Sequence, residues 1–213
     1  MKMIFAGDPE YADVWSKAGS IVCRREGDRL IATRIHGVYW MYWGESHIFA
    51  ATSDDLVHWT PVKDTSYEDR TVRLENGFWR STHLSPVTSL RRVLSPRRHA
   101  FDSVLIEPGP PAVLTDKGIV LIYNASNHAE AGDPSLAGGA YTPGQALFSR
   151  DDPASLIARC QKPFMIPTEP YEMIGQFANT CFVEGLAPMG DHWYLYYGTA
   201  DSGIAAATAP IVA

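Results

Sequence analysis

At 213 residues the chain is long enough for one domain with a sizeable core, or for two small ones. Hydrophobic residues make up 46% and charged residues 20%, an ordinary balance for a folded soluble protein. The formal charge of −6 argues against nucleic acid as a partner, because a phosphate backbone needs a basic face. The stretch MKMIFAGDPEYADVW at the start holds only a short apolar run before Gly-Asp-Pro, too little for a secretory leader. No window approaches a membrane span. The expectation is a soluble, cytoplasmic protein without a membrane partner. Cys23, Cys160 and Cys181 form no CxxC pair, so they read as buried free thiols rather than a disulfide or zinc framework.

In chain order, the first strand candidate is LIATRI (30–35), followed by the aromatic run of GVYWMYWGESHIFAATSDDLVHWTPV (37–62). Segment 63–100 is rich in Thr, Ser, Arg and Pro with little alternation, and reads as a long connection with one strand near GFWRSTHL. PPAVLT, GIVLIYNAS and QALFSR read as successive strands, with a Gly/Ala/Pro loop over 126–143. Loops of that length are often functional. DDPASLIARC is the best helical stretch, one or two turns at most, with Pro153 suited to a first turn. PFMIP, CFVEGLAPM, HWYLYYG and IAAATA complete the set.

These candidates form a repeat. Each unit opens at a Gly turn, runs through a Tyr- or Trp-rich strand, breaks at small or polar residues, and continues in a small-residue strand. The units recur on average about 75 to 80 residues apart. Short strands at that period predict an all-β chain of propeller type, with about three four-stranded blades near 17–62, 101–167 and 176–210 in one domain over 1–213. About three blades do not close a ring, since propellers have roughly four to eight. The expectation is a partial propeller, with a second copy of the chain covering the open edge as the alternative.

In a propeller the innermost strands line a shared funnel. Glu107, before Pro-Gly-Pro-Pro in FDSVLIEPGPPAVL, and Glu184, inside the apolar CFVEGLAPM, would converge there. A glycosidic bond is broken by such a pair, one carboxyl donating a proton and one carboxylate activating water. Glu107 alone would pass for a surface-turn glutamate, but Glu184 in an apolar strand needs a polar cavity or a partner. Proline and glycine at the elbow would fix the backbone and admit a close approach.

Taken together, FDSVLIEPGPPAVLTDKGIVLIYNAS, YTPGQALFSRDDPASLIARCQKPFMIP and YEMIGQFANTCFVEGLAPMGDHWYLYYGTADSGIAAATA resemble glycoside hydrolase family 130. MYWGESHIFAATSDDLVHWTPV fits the preceding blade, so the resemblance covers roughly 17 to 210. That family contains β-mannoside phosphorylases and β-1,2-mannosidases on a five-bladed propeller. Its phosphorylases carry lysine and other basic residues for phosphate near the Gly-Pro-Pro strand, where this chain has Val-Leu-Ile-Glu. The resemblance therefore implies the hydrolase branch, an inverting pair of glutamates carried onto Glu107 and Glu184, and a small β-mannoside oligosaccharide as substrate. Which glutamate is acid and which is base stays open. Set against the resemblance, the family's Asp-Pro-Arg motif is not visible, GDPE (7–10) being a poor substitute, and the final blade is expected to be absent or incomplete.

Supporting candidates for substrate binding are Arg98, Asp102, Tyr123, Asn124, Tyr141, Gln145 and Asp201. Arginine suits bidentate contacts to diols, while amides, carboxylates and aromatic faces suit sugar hydroxyls and ring faces. Each has a plain alternative as a turn or packing residue. Trp40, Trp43, Trp59, Trp193, Tyr196 and Tyr197 read as inter-blade core. The histidines show no HxH or HExxH spacing, so no metal and no cofactor are expected. Phosphorolysis and non-catalytic carbohydrate binding by a propeller fragment remain the competing readings.

Overall fold

The computed structural model describes residues 16–64, 71–73, 79–81 and 90–212. The GDPE stretch at 7–10 lies outside them. The first strands are β1 (Gly19–Glu26), β2 (Arg29–Ala32), β3 (Arg34–Ile35), β4 (Val38–Trp43), β5 (Ile48–Ser53) and β6 (Thr60–Pro61). β7 (Thr71–Arg73), β8 (Trp79–Ser81) and β9 (Arg92–Leu94) fall within the long connection, β8 inside GFWRSTHL. β10 (Leu105–Pro108), β11 (Ala112–Thr115), β12 (Gly118–Ser126), β13 (Tyr141–Phe148) and β14 (Leu156–Arg159) follow. After a single helical turn, α1 (Pro170–Met173), come β15 (Cys181–Met189), β16 (His192–Thr199) and β17 (Gly203–Pro210).

The strands group into sheet units. In the first, β1, β4 and β5 run antiparallel, and the outer flank of β5 is shared by β6 and β9. The long connection thus leaves and re-enters at the same sheet edge. In the second, β10 and β11 both pair with one flank of β12, followed by β13 and β14. β15, β16 and β17 form the third, an antiparallel meander. Val22–Arg24 of β1 pairs in parallel with Ala112–Leu114 of β11, which joins the first two units into one curled sheet. The chain is all-β and of propeller type.

Packing between units follows from the residue pattern. β12 is apolar on both faces and buried almost throughout, as a central strand sandwiched between neighbours must be. Tyr42 of β4 meets Phe148 of β13 with ring centroids 4.7 Å apart, and the Tyr42 hydroxyl donates to the Pro153 carbonyl at 2.8 Å. Ile122 joins Cys181, Val183, Leu195 and Tyr197 in a second core between units two and three. Cys23, Cys160 and Cys181 are free thiols, and burial pushes Cys23 up to about 11 and Cys181 up to about 12. Trp43, Trp59 and Tyr197 are buried, whereas Tyr196 is exposed.

Three local expectations are corrected. LIATRI, read as the first strand candidate, forms the two short strands β2 and β3 and is preceded by an unexpected strand, β1, which joins units one and two. DDPASLIARC forms no helix. Asp152 accepts the Ala154 N–H in a tight turn, and the open edge of β13 then recruits Leu156–Arg159 as β14. PFMIP (163–167) forms no strand, although the Phe164 N–H donates to the Pro143 carbonyl of β13 at 3.2 Å.

Candidate active site

The Pro-Gly-Pro-Pro elbow sits where three strands meet. β10 pairs with the C-terminal part of β12 and β11 with its N-terminal part, so the kink between them keeps one strand flanking β12 along its length. The Gly109 N–H still donates to the Ile122 carbonyl at 3.1 Å. A Cβ at Gly109 would lie 2.9 Å from the Val183 carbonyl oxygen, so only glycine lets β15 approach this closely. Pro110 accepts from the Ser20 hydroxyl at 2.6 Å, tying the elbow to β1.

Register then decides which side chains face this junction. Glu107 pairs with Asn124, Leu105 with Ser126, and Ser126 with Tyr141, so Glu107, Asn124 and Tyr141 share one face. Tyr123 and Ala125 point to the other. Asn124 uses its whole amide as a peptide mimic: Nδ2 donates to the Val183 carbonyl at 2.9 Å, and Oδ1 accepts the Val183 N–H at 2.8 Å. This clamp fixes the residue just before Glu184. Glu184 is the extra residue of a β-bulge, since Val183 pairs with Tyr197 and Gly185 with Tyr196. A bulge re-aims one side chain while the strand continues on either side.

Glu107 is fully buried, and neither carboxyl oxygen has a hydrogen-bond partner among the described residues. Lys17 Nζ lies 3.9 Å from its Oε1 and 3.4 Å from Glu45 Oε1. Burial pushes the Glu107 carboxyl up to about 7; Lys17 draws it down, while Glu45 and Glu184 add to the rise. Glu184 is open to solvent, and it too is raised, by partial desolvation, against the pull of Lys17. Burial alone would lower Lys17, but the Glu107 and Glu45 charges outweigh that and hold it above the usual lysine value.

Beside this cluster opens a cleft of about 340 Å³ lined by Lys17, Tyr141, Phe177, Thr180, Phe182 and Asp201. Burial raises the Tyr141 phenol, and the Glu107, Glu45 and Asp201 charges raise it further, which ties the cleft to the carboxylates. Asp201 reaches the cleft from the β16–β17 turn. Ala200 and Asp201 both have positive φ there, at 47° and 51°, and the Ser202 N–H closes the turn on the Thr199 carbonyl at 2.9 Å. Left-handed backbone at two non-glycine residues is unfavourable, and such strain often collects at functional sites.

Of the residues expected from sequence, Glu107, Glu184, Tyr141 and Asp201 are brought together. The others are placed elsewhere. Asp102 is fully buried, held by Arg97 Nη2 at 2.8 Å, Arg159 Nη2 at 2.7 Å and the Tyr123 hydroxyl at 2.9 Å. Tyr123 also accepts from Arg159 Nε at 3.0 Å, so this pair forms an internal brace on the far face of β12. Asn124 is consumed by its clamp. Gln145 lines a different opening, an apolar gap between units two and three beside Trp193 and Phe164. Arg98 is exposed and outside the cleft.

Sequence reasoning missed Lys17, Glu45, Phe177 and Phe182. It also placed no lysine near the elbow, yet Lys17 arrives there from the residues ahead of β1. Glu45 follows Gly44 in the β4–β5 turn, where φ is +113°, and an acid straight after a glycine-closed aromatic strand was the available signal.

The family model of glycoside hydrolase family 130, described as beta-1,4-mannooligosaccharide phosphorylase, matches residues 5–213. The 1,2-beta-oligomannan phosphorylase of Thermoanaerobacter sp. (strain X514) is 28% identical over 203 residues, covering 82% of this chain and 64% of that protein. The Beta-1,2-mannobiose phosphorylase of the same strain is 31% identical over 114 residues, covering 54% of this chain and 35% of that one. A solved structure from work on GH130 glycoside hydrolases that target beta-1,2 mannosidic linkages in Candida mannan is 42% identical with a TM-score of 0.82. That match takes in 95% of this chain and 51% of the other, so the chain spans about half the length of that structure. The chain belongs to glycoside hydrolase family 130, a family of five-bladed β-propellers.

Proposed function

We infer that the protein hydrolyses a β-mannoside, with Glu107 as general acid and Glu184 as the base that activates water. One observation carries the assignment of roles. Glu107 is sealed from solvent, neither of its oxygens accepts a hydrogen bond among the described residues, and its carboxyl stays protonated to about 7. A proton held near neutrality is what a glycosidic leaving oxygen needs. Glu184, re-aimed by its bulge and open to solvent, suits the ionised partner that takes a proton from water.

Phosphorolysis is the second reading, favoured by the names of the curated relatives and by the presence of Lys17. Charge weighs against it. Among the described residues around the cleft, the carboxyl groups of Glu45, Glu184 and Asp201 face the single cation Lys17, while Glu107 keeps its proton. A dianionic phosphate would enter a field already negative, whereas neutral water and neutral sugar would not. The deciding experiment follows mannose release from β-1,2-mannobiose with and without inorganic phosphate. Release independent of phosphate supports hydrolysis; strict dependence, with mannose 1-phosphate as product, overturns it.

A further inference from the structure

Among the described residues β17 pairs only with β16, so its outer flank is an open sheet edge. The register fixes which groups lie on that flank. Thr199 sits opposite Gly203 and Leu195 opposite Ala207, and the Ile211 N–H continues the ladder to the Asp191 carbonyl at 2.7 Å. In an antiparallel pair, opposed residues alternate between bonded to each other and bonded outward. Gly203, Ala205, Ala207 and Ala209 therefore bond inward to β16, while Ile204, Ala206 and Thr208 turn their N–H and C=O groups away from it. All three of these residues are exposed, Ile204 for 83% of its surface. Ala205 and Ala207 meanwhile pack toward Leu195 and Tyr197, so the strand is held firmly in place from its inner side.

An edge of this kind recruits other strands, and folded proteins guard against that with charge, proline, bulges or very short strands. The outlying strands β6 and β14 are guarded. β6 has two residues; β14 has four, ends in Arg159 and meets β13 across a register shift. β17 has eight residues, GIAAATAP, with no charged side chain, no register shift, and proline only at the last position. The edge is also complementary to itself. An antiparallel pairing about a twofold axis at Ala206 sets Ala206 against Ala206 and Ile204 against Thr208. These are the outward-bonding residues, so about six main-chain hydrogen bonds form across the axis. Ile204 and Thr208 make a β-branched cross-strand pair, and alanine at the centre permits close approach. Charge favours the same surface. The chain carries −6 overall but β17 carries none, so the pairing sets no like charges directly opposite one another. We propose that β17 is a dimer interface, pairing antiparallel with β17 of a second copy so that the two β15–β16–β17 meanders become one continuous sheet. One strand pair with its flanking side chains is a small interface, so the dimer forms in a concentration-dependent way. It is independent of the reaction assigned to the cleft.

Sedimentation velocity of the chain between about 1 and 200 µM is the test. The parent is expected to pass from the mass of one chain to that of two across this range. Ala206→Pro removes the central outward N–H, where no bond to β16 is lost, and Ala206→Lys sets like charges against each other at the axis. Each variant is expected to sediment as one chain throughout. Circular dichroism checks that both are folded, and the lysine variant keeps the test decisive if proline disturbs the strand. Amide hydrogen exchange read by NMR locates the contact. The Ile204, Ala206 and Thr208 amides are expected to exchange about tenfold more slowly at the high concentration in the parent, and to show no such slowing in Ala206→Lys. A parent that stays a single chain at the upper concentration leaves the edge to some other strand and overturns the proposal. So does a dimer that survives both substitutions, or one whose β17 amides gain no protection. Masses that keep growing beyond two chains overturn the closed twofold pairing.

Discussion

Replacing the proposed acid should make the protein more stable, and by an amount that depends on pH. Glu107 ionises at about 7 in the folded chain against 4.5 ordinarily, with burial as the main cause. Below about 4.5 the carboxyl is neutral in both states and its burial adds no ionisation penalty. Between 4.5 and 7 the unfolded chain loses the proton while the native state keeps it, so stability falls as pH rises. Above 7 the full difference is present, on the order of 3 kcal/mol at about 1.4 kcal/mol per tenfold. Glu107→Gln removes the ionisation. The variant should match the parent near pH 4.5 and exceed it by up to about 3 kcal/mol at pH 8, or several degrees in melting temperature for a chain of this size. Denaturant unfolding at pH 4.5, 6, 7 and 8 measures this directly. A stability difference that stays constant across the series, or that favours the parent at pH 8, would refute the burial argument and with it the assignment of Glu107 as the acid.

Lys17 lowers the Glu107 carboxyl through space, so Lys17→Met should move the alkaline limb of the activity profile upward from about 7. A pH–rate series checks this, and an unmoved or lowered limb contradicts it. Asn124→Ala breaks both bonds to the Val183 backbone inside the protein. It should cost about 2–4 kcal/mol and lower kcat through a misplaced Glu184, read by unfolding and initial rates. Gly109→Ala places a Cβ 2.9 Å from the Val183 carbonyl and should destabilise the chain by about 1–3 kcal/mol, read by denaturant midpoint.

Strands with a strong pattern were legible in the sequence. GIVLIYNAS and CFVEGLAPM coincide with β12 and β15, because short, largely apolar runs bounded by turn residues have few other ways to be buried. DDPASLIARC misled because Pro153 suits a helix start, while the outcome was set by a vacant edge on β13, which no local pattern records. β1 was missed for the same reason: its place is set by pairing with β4 and β11 together, which its own residues do not record. The site was half legible. Glu107 and Glu184 stood out as acids in apolar settings, yet Asp102, Tyr123 and Asn124 have the same chemistry whether they face a sugar or the interior. Only strand parity separates them: Asn124 shares the face of Glu107 but is spent on Val183, and Tyr123, one residue away, points to the other. Lys17, Glu45 and Phe177 lie in turns and connections whose position depends on how distant units pack, so no periodicity announced them.

The shortest route to the central claim is the initial rate of mannose release from β-1,2-mannobiose, measured for the parent, Glu107→Gln, Glu184→Gln and the double variant. Two carboxyls acting on one bond behave as a unit, so each single change should abolish most of the rate and the double variant should be little worse than either. Losses that multiply in the double variant, or a single variant that retains the parent's rate, would mean that Glu107 and Glu184 do not share a glycosidic bond.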